Sequence, residues 1–468
     1  MAEHNAYQRA VRKATYFRLK DDIDYFLNRF DREKETVILL PGGSGSNLWH
    51  ADRKFGEVSN PRDYHFDRVW LDLGIFAGDG KAIKINRNGH DVGDRVMVGD
   101  GDVRFPVRPY VRAMTFFRGK AKFNALLLGW DWRRNLLAAV DILNAVIETI
   151  KKRKASSKNP QRVMKNIFIV GHSMGGMVAK LFFQTHQNVA KELGGMISVG
   201  TPFYGYLGQL RRIFEGEPTL NRLPPYNAKT VATITSSCPG LYTLFPIDKK
   251  TYDAVGDQLG LTSYPVTALD GTPADVYDKH RPSSRFPNWV WLKQIEEARR
   301  LRQDLLSMPL PVPLNNVLFH IRSKIPKSTA STAKWKQELP GSYDPDKHQS
   351  PIEIGPMSEG DDTIPYWSAA LASTPNDNIT DFSQGEHMSL MAQSFVLRHI
   401  LKIVSRGARS VSEDEFIAEY GPDPQMATRE ELENLLNKID LSVPSTIGQL
   451  ETLIPERYTW RLLQEIAM

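Results

Sequence analysis

The chain has 468 residues, 41% hydrophobic and 24% charged, a balance that excludes a disordered or fibrous protein. Its 60 Lys and Arg against 54 Asp and Glu give a net charge of +6, too mild over this length to argue for a nucleic-acid partner. A single cysteine, Cys238, excludes an intrachain disulfide and fits a reducing compartment.

The length accommodates one large domain with insertions or two to three smaller ones. The first ten residues carry no apolar stretch of the kind a signal peptide needs, and no run reaches the roughly 18 apolar residues of a membrane span. A cytoplasmic protein is expected, with peripheral contact to a membrane allowed. Residues 7–31 read as an amphipathic helix, placing a helical segment over 1–35. Thr36 to Leu40 is a short apolar run, a buried strand candidate that ends at Pro41. The glycine-rich loop Pro41-Gly-Gly-Ser-Gly-Ser-Asn47 follows. It lacks the Gly-Lys-Ser/Thr ending of a phosphate-binding loop.

Residues 49–120 are dense in turn signals and read as an insertion or cap. Their acidic glycine clusters, such as Gly99 to Asp102, lack the spacing of a calcium loop. Phe123 to Leu128 is a second apolar run, followed by Trp130-Asp-Trp-Arg133 and a helix at about 136–152. The basic cluster from Lys151 to Lys165 reads as a solvated helix end, where cations are favoured.

The run Asn166 to Val170 leads into Gly171-His172-Ser173-Met174-Gly175, and a helix-like stretch from Met177 to Thr185 follows. Strand, sharp glycine-flanked turn, helix: this order lifts a serine hydroxyl out of a sheet to where a base can reach it. Ser173 is therefore the candidate nucleophile. Gly195 to Val199 is the next strand, ending in Gly200-Thr-Pro202. The β-α-β-α-β succession predicts a mostly parallel sheet with helices on both faces.

Residues 203–314 break the rhythm with prolines and aromatics, and such an insertion is expected to cover the active site; one helix, 291–306, stands out within it. Asn316 to Ile321 resumes the sheet, 324–360 reads as a polar, proline-rich loop, and Phe395 to Val404 is the last core helix. Past residue 405, capping boxes at Ser412/Glu415 and Thr428/Glu431 predict a small helical appendage with no evident chemistry.

A serine needs a base to take its proton and an acid to orient that base. Two histidines follow the polar loop. His399 lies within a helix among apolar residues, whereas His387 sits in Gly385-Glu-His-Met-Ser389, a polar stretch just before a helix. His387 is the candidate base. The acid is expected in Glu359-Gly-Asp-Asp-Thr-Ile-Pro365, where Asp361 and Asp362 both qualify. The oxyanion of an acyl-transfer intermediate needs two backbone N–H donors. One is assigned to Met174, directly after the nucleophile; the other belongs to the 41–47 loop.

Together, these segments resemble the lecithin:cholesterol acyltransferase family, which includes a lysosomal phospholipase and the phospholipid:diacylglycerol acyltransferases. The likeness runs in order from Val37 to Leu48, through Val69-Trp-Leu-Asp-Leu73, Trp130 to Arg133, the Ser173 turn, Gly200-Thr-Pro202, Ser236 to Pro239 and Leu244-Phe-Pro246, to Gly360 to Ile364 and His387. The resemblance implies an α/β-hydrolase core over 36–405, with cap insertions at about 49–120 and 203–314; the helical appendage over 406–468 lies outside it. It implies Asp361 as the acid and Gly43 as the second oxyanion donor. It also implies a lipid ester substrate, with the acyl group passing through Ser173 to water or to an alcohol. No metal or cofactor enters that chemistry. Two competing expectations are a carboxylesterase for non-lipid esters and a catalytically idle binding module. Trp70, Trp130, Trp132, Trp289 and Trp291 are expected mainly in the core rather than in an acyl pocket.

Overall fold

The computed structural model describes residues 33–54, 108–154, 160–216, 228–278, 286–336, 343–439 and 454–467, together with 19, 22–31, 57, 65–70, 83–87 and 96–98. Six parallel strands form the central sheet: β1 (Thr36–Leu40), β2 (Asn124–Leu127), β3 (Ile167–His172), β4 (Gly195–Val199), β5 (Leu318–Ser323) and β6 (Ile379–Phe382). Their spatial order is β6-β5-β4-β3-β1-β2. In the central register Ile38 lies beside Ile169 and Leu126, and Val170 beside Ile197. A parallel sheet buried on both faces selects continuous apolar strands, which is why β1, β3 and β4 read as unbroken apolar runs.

Alternate side chains of one strand point to opposite faces, and β1 divides accordingly. Ile38 and Leu40 enter one core with α2 (Leu137–Lys154) and α3 (Met174–Thr185), through Leu143, Ile147, Met177 and Leu181. Val37 and Leu39 enter the other with α1 (Val111–Arg118) and α5 (Ser394–Val404), through Phe116, Phe117, Val396 and Ile400. The β3–α3 turn is thus clamped between two cores.

Two features differ from the sequence expectations, and one expected helix is found. The stretch 324–360 is not a bare loop. Ile325–Ala330 pairs antiparallel with Met357–Gly360, and Ala333–Trp335 with Ile352–Ile354. Their polar, proline-bearing sequences lack the apolar run that marks a strand, which hides a pairing made within the same segment. The sixth sheet strand, Ile379–Phe382, went unrecognised, since an edge strand that is only half-buried carries no apolar run. The long insertion after β4 contributes α4 (Leu292–Leu301), which continues as a wider turn over Arg302–Leu306. Arg302 is buried there and donates to the carbonyls of Phe203, Thr243 and Phe245, pinning the loop after β4.

Near the C-terminus lie α6 (Glu413–Tyr420), α7 (Arg429–Leu436) and α8 (Glu456–Ala467). Both expected capping boxes are present: Ser412 and Glu415 cap α6, and Thr428 and Glu431 cap α7. The amphipathic reading of 7–31 is described only from residue 19 onward, with 22–28 helical and Leu19, Ile23, Phe26 and Leu27 buried. The acidic glycine clusters at 78–80 and 99–102 lie outside the described residues, as does the side chain of Trp70. Trp130, Trp132 and Trp289 are buried, and Trp291 packs partly buried against the core. Among the described residues, no helix is long and apolar enough to cross a membrane.

Candidate active site

Ser173 sits between the end of β3 and the start of α3 with φ +51° and ψ −128°, in the left-handed region that a residue with a Cβ rarely occupies. Such a conformation costs of order 1–3 kcal/mol and persists only where the surroundings enforce it. They do so here. The Ser173 N–H donates to the Val199 carbonyl at 2.9 Å, and its carbonyl accepts from the Gly176 N–H at 3.0 Å. A Cβ on Gly175 would stand 2.3 Å from the Leu40 carbonyl oxygen and 2.6 Å from that of Pro41. Only a residue without a Cβ lets the end of β1 pass this close to the turn.

The loop after β1 folds over the same point. A Cβ on Gly42 would lie 2.9 Å from the Ser173 Cβ, and one on Gly43 would lie 2.5 Å from the Met174 sulfur. Gly43 and Met174, the two expected oxyanion donors, are therefore neighbours beside Ser173. The tryptophan of Trp130-Asp-Trp-Arg133 fastens this loop. Its ring N–H donates to the Pro41 carbonyl at 2.9 Å, and its backbone N–H to the Ser46 hydroxyl at 3.1 Å. Asp131 is in turn gripped by Arg133 and Arg134. Burial opposes its charge, but the two guanidiniums hold the Asp131 carboxyl below its ordinary range.

Asp361 and His387 come from the later part of the chain. Met357–Gly360 delivers Asp361, and the segment after β6 delivers His387. His387 Nδ1 meets Asp361 Oδ2 at 2.6 Å, with Asp361 1% exposed and His387 fully buried. The other carboxylate oxygen accepts from the N–H groups of Thr363 at 3.1 Å and Ile364 at 2.6 Å. The backbones are tied as well: the His387 N–H donates to the Asp361 carbonyl at 2.8 Å. Gly200, with φ +55°, closes the space beside them, for a Cβ there would stand 2.8 Å from Asp361 Oδ2 and 3.3 Å from His387 Nδ1. His387 Nε2 is buried and makes no hydrogen bond among the described residues. That is the free ring nitrogen a general base requires, and such contacts often tighten only when substrate is bound.

Asp362, the alternative acid, points elsewhere. Its carboxylate meets Arg461 and Gln464 of α8. Burial pushes the Asp362 carboxyl up while Arg461 opposes the rise. His399 is likewise apart, bonded to the Thr380 hydroxyl at 2.8 Å.

Two residues unremarked in the sequence join the halves of the site. The Gly42 N–H donates to the Tyr110 hydroxyl at 2.8 Å, and that hydroxyl meets His172 Nδ1 at 2.9 Å. His172 Nε2 meets the His387 carbonyl at 3.0 Å. A carbonyl only accepts, so Nε2 carries the proton and Nδ1 accepts from tyrosine. The relay runs from glycine loop to base loop without a break. Burial, reinforced by His387 nearby, pushes His172 down to about 3, so the ring stays neutral and keeps this tautomer. The Gly-His-Ser spacing placed His172 beside the nucleophile, but nothing local pointed to Tyr110.

Against known proteins, a family profile described as a PGAP1-like alpha/beta domain matches residues 31–207. That stretch carries β1, the glycine loop and the Ser173 turn, and is under half of the chain. A chain of the crystallised Tle4–Tli4 complex aligns with a TM-score of 0.53 at 16% identity, over 80% of this chain and 99% of that one. No curated protein matches by sequence. These likenesses reach the fold and do not single out the lecithin:cholesterol acyltransferases. The chain carries the α/β-hydrolase fold.

Proposed function

We propose that this protein is a serine hydrolase of lipid esters. The observation that carries the reading is the 2.6 Å bond between buried His387 and Asp361, with the His387 ring 5.0 Å from that of His172, the residue before Ser173 in its strained turn. Ser173 Oγ attacks the ester carbonyl carbon as its proton passes to His387 Nε2. Asp361 holds the ring with Nδ1 protonated and stabilises the imidazolium. The N–H groups of Gly43 and Met174 receive the oxyanion. Collapse of the intermediate breaks the C–O bond, and the leaving alcohol takes the proton from His387. Water then attacks the acyl-Ser173 ester by the same steps in reverse, releasing a fatty acid.

A second reading, transfer of the acyl group to an alcohol, is favoured by the burial of the site: Ser173 is 2% exposed and His387 fully buried. A closed site disfavours bulk water at the deacylation step. It also agrees with the resemblance to the lecithin:cholesterol acyltransferases.

A phospholipid labelled in its acyl chain, incubated with and without a long-chain alcohol, separates the two. Label in free fatty acid supports hydrolysis, and label in the alcohol ester supports transfer. Ser173→Ala is expected to abolish either, by about 10⁴-fold or more. Turnover of short soluble esters alone would point to a non-lipid carboxylesterase, and turnover unchanged in Ser173→Ala would remove the serine mechanism.

A further inference from the structure

Helix α8 enters the site from the far end of the chain. Its inner face, including Thr459, Trp460, Leu462 and Leu463, is buried. Gln464 lies on that face, 3% exposed. Its Nε2 donates to Asp362 Oδ2 at 2.9 Å, and its Oε1 accepts from the Met388 N–H at 3.3 Å. Asp362 is the residue after Asp361, and Met388 the residue after His387. A single side-chain amide thus spans the segments that carry the acid and the base.

The surroundings hold this amide in place. Arg461, three residues earlier, pairs with the same Asp362 carboxylate and donates through Nε to the Ala427 carbonyl at 2.6 Å. Arg429 of α7 pairs with Glu465 at 2.5 Å, tying α8 to its neighbour. The acid turn needs such restraint, because Asp362 has φ +70°, a strained value for a residue with a Cβ. The chemistry of the bridge demands an amide: one planar group must donate to a carboxylate and accept from an N–H. Glutamate has no N–H and would set a like charge against Asp362, while an apolar side chain supplies shape alone.

We propose that Gln464 is a positioning residue for the reaction: it touches no reacting atom and sets the placement of His387 against Asp361 through the turns that bear them. The proposal rests on the Ser173, His387 and Asp361 reading above. Asp362, Gln464 and Glu465 border a recess of about 320 Å³, so a change at Gln464 meets existing space rather than excavating the core.

The test compares full-length wild type, Gln464→Met and Ser173→Ala. Sites are counted by a fluorophosphonate probe, and p-nitrophenyl butyrate hydrolysis is followed from pH 5 to 9. For Gln464→Met, kcat per titrated site is expected to fall about 10- to 100-fold, the scale of a small misplacement of catalytic groups, with KM nearly unchanged. The inflection of the pH–rate profile shifts, as does the downfield Nδ1–H proton resonance of His387. Wild-type kcat, profile and resonance in Gln464→Met, with Ser173→Ala unlabelled, would overturn the role of Gln464 and leave the serine mechanism standing. Labelling of Ser173→Ala equal to wild type would instead sink the underlying reading. Should Gln464→Met not fold, Gln464→Asn, which keeps both hydrogen-bonding groups one methylene short, is judged by the same measurements.

Discussion

The proposed nucleophile side and the proposed acid–base side of this site are built differently. Ser173, Met174 and the glycine loop are placed by backbone: a strand end, a helix start and glycines packed against the β1 carbonyls with no room for a methyl group. Asp361 and His387 are placed by side-chain hydrogen bonds between segments from several parts of the chain, the last being α8. A backbone-built site is rigid and is lost mainly by unfolding. A side-chain-built site can lose alignment while the fold survives. Perturbing the first side should therefore cost stability, and perturbing the second should cost catalysis.

The largest expected effect breaks the acid–base side. Asp361→Asn keeps the shape and can still accept from Thr363 and Ile364, but it presents an N–H to His387 Nδ1 and selects the wrong tautomer. A fall in kcat of about 10⁴-fold is expected, with the melting temperature little changed. Equal loss of activity and stability would contradict the contrast.

Acid should weaken the fold that holds both sides, through two buried histidines, His172 and His320 of β5. His172 and His320 are both pushed down to about 3, chiefly by burial. The unfolded chain takes up these protons near pH 6.5 and the folded chain only near 3. Their contribution is thus fully present above 6.5 and is lost as pH falls toward 3, at up to about 1.4 kcal/mol per pH unit for each. Urea midpoints measured between pH 7 and 4 should show this slope, and it should be shallower in His172→Gln.

On the backbone side, Gly175→Ala forces a methyl group against the carbonyls of Leu40 and Pro41. A loss of about 1–3 kcal/mol is expected from such overpacking, with kcat per titrated site largely kept at low temperature. The smallest effect belongs to the link between the two sides. Tyr110→Phe strands the Gly42 N–H and removes the donor to His172, at a cost of about 1–2 kcal/mol. A selective drop in kcat of about tenfold, with KM held, would show the relay acting on alignment.

Legibility follows the same division. The Ser173 turn could be read because strand, glycines, serine and helix are contiguous, and the physics that shapes the turn is local. His387 could be singled out from His399 by its polar setting before a helix. The choice between Asp361 and Asp362 was open in the residues themselves, since adjacent residues in a tight turn differ only in where the turn aims them. Tyr110 and Gln464 carried no signal at all, because their partners lie 62 and 76 residues away. The strands within 325–360 were hidden for another reason: they pair within one segment, but their short polar sequences carry no apolar alternation.

The sequence by itself determined the parallel α/β core and the turn that presents Ser173, because apolar runs and glycine sterics act between near neighbours. Only the tertiary structure decided which aspartate meets His387, how the glycine loop is coupled to the base, and that the C-terminal helix closes on the acid turn. Those outcomes depend on hydrogen bonds between distant segments, whose geometry exists only once the two cores have packed around the sheet.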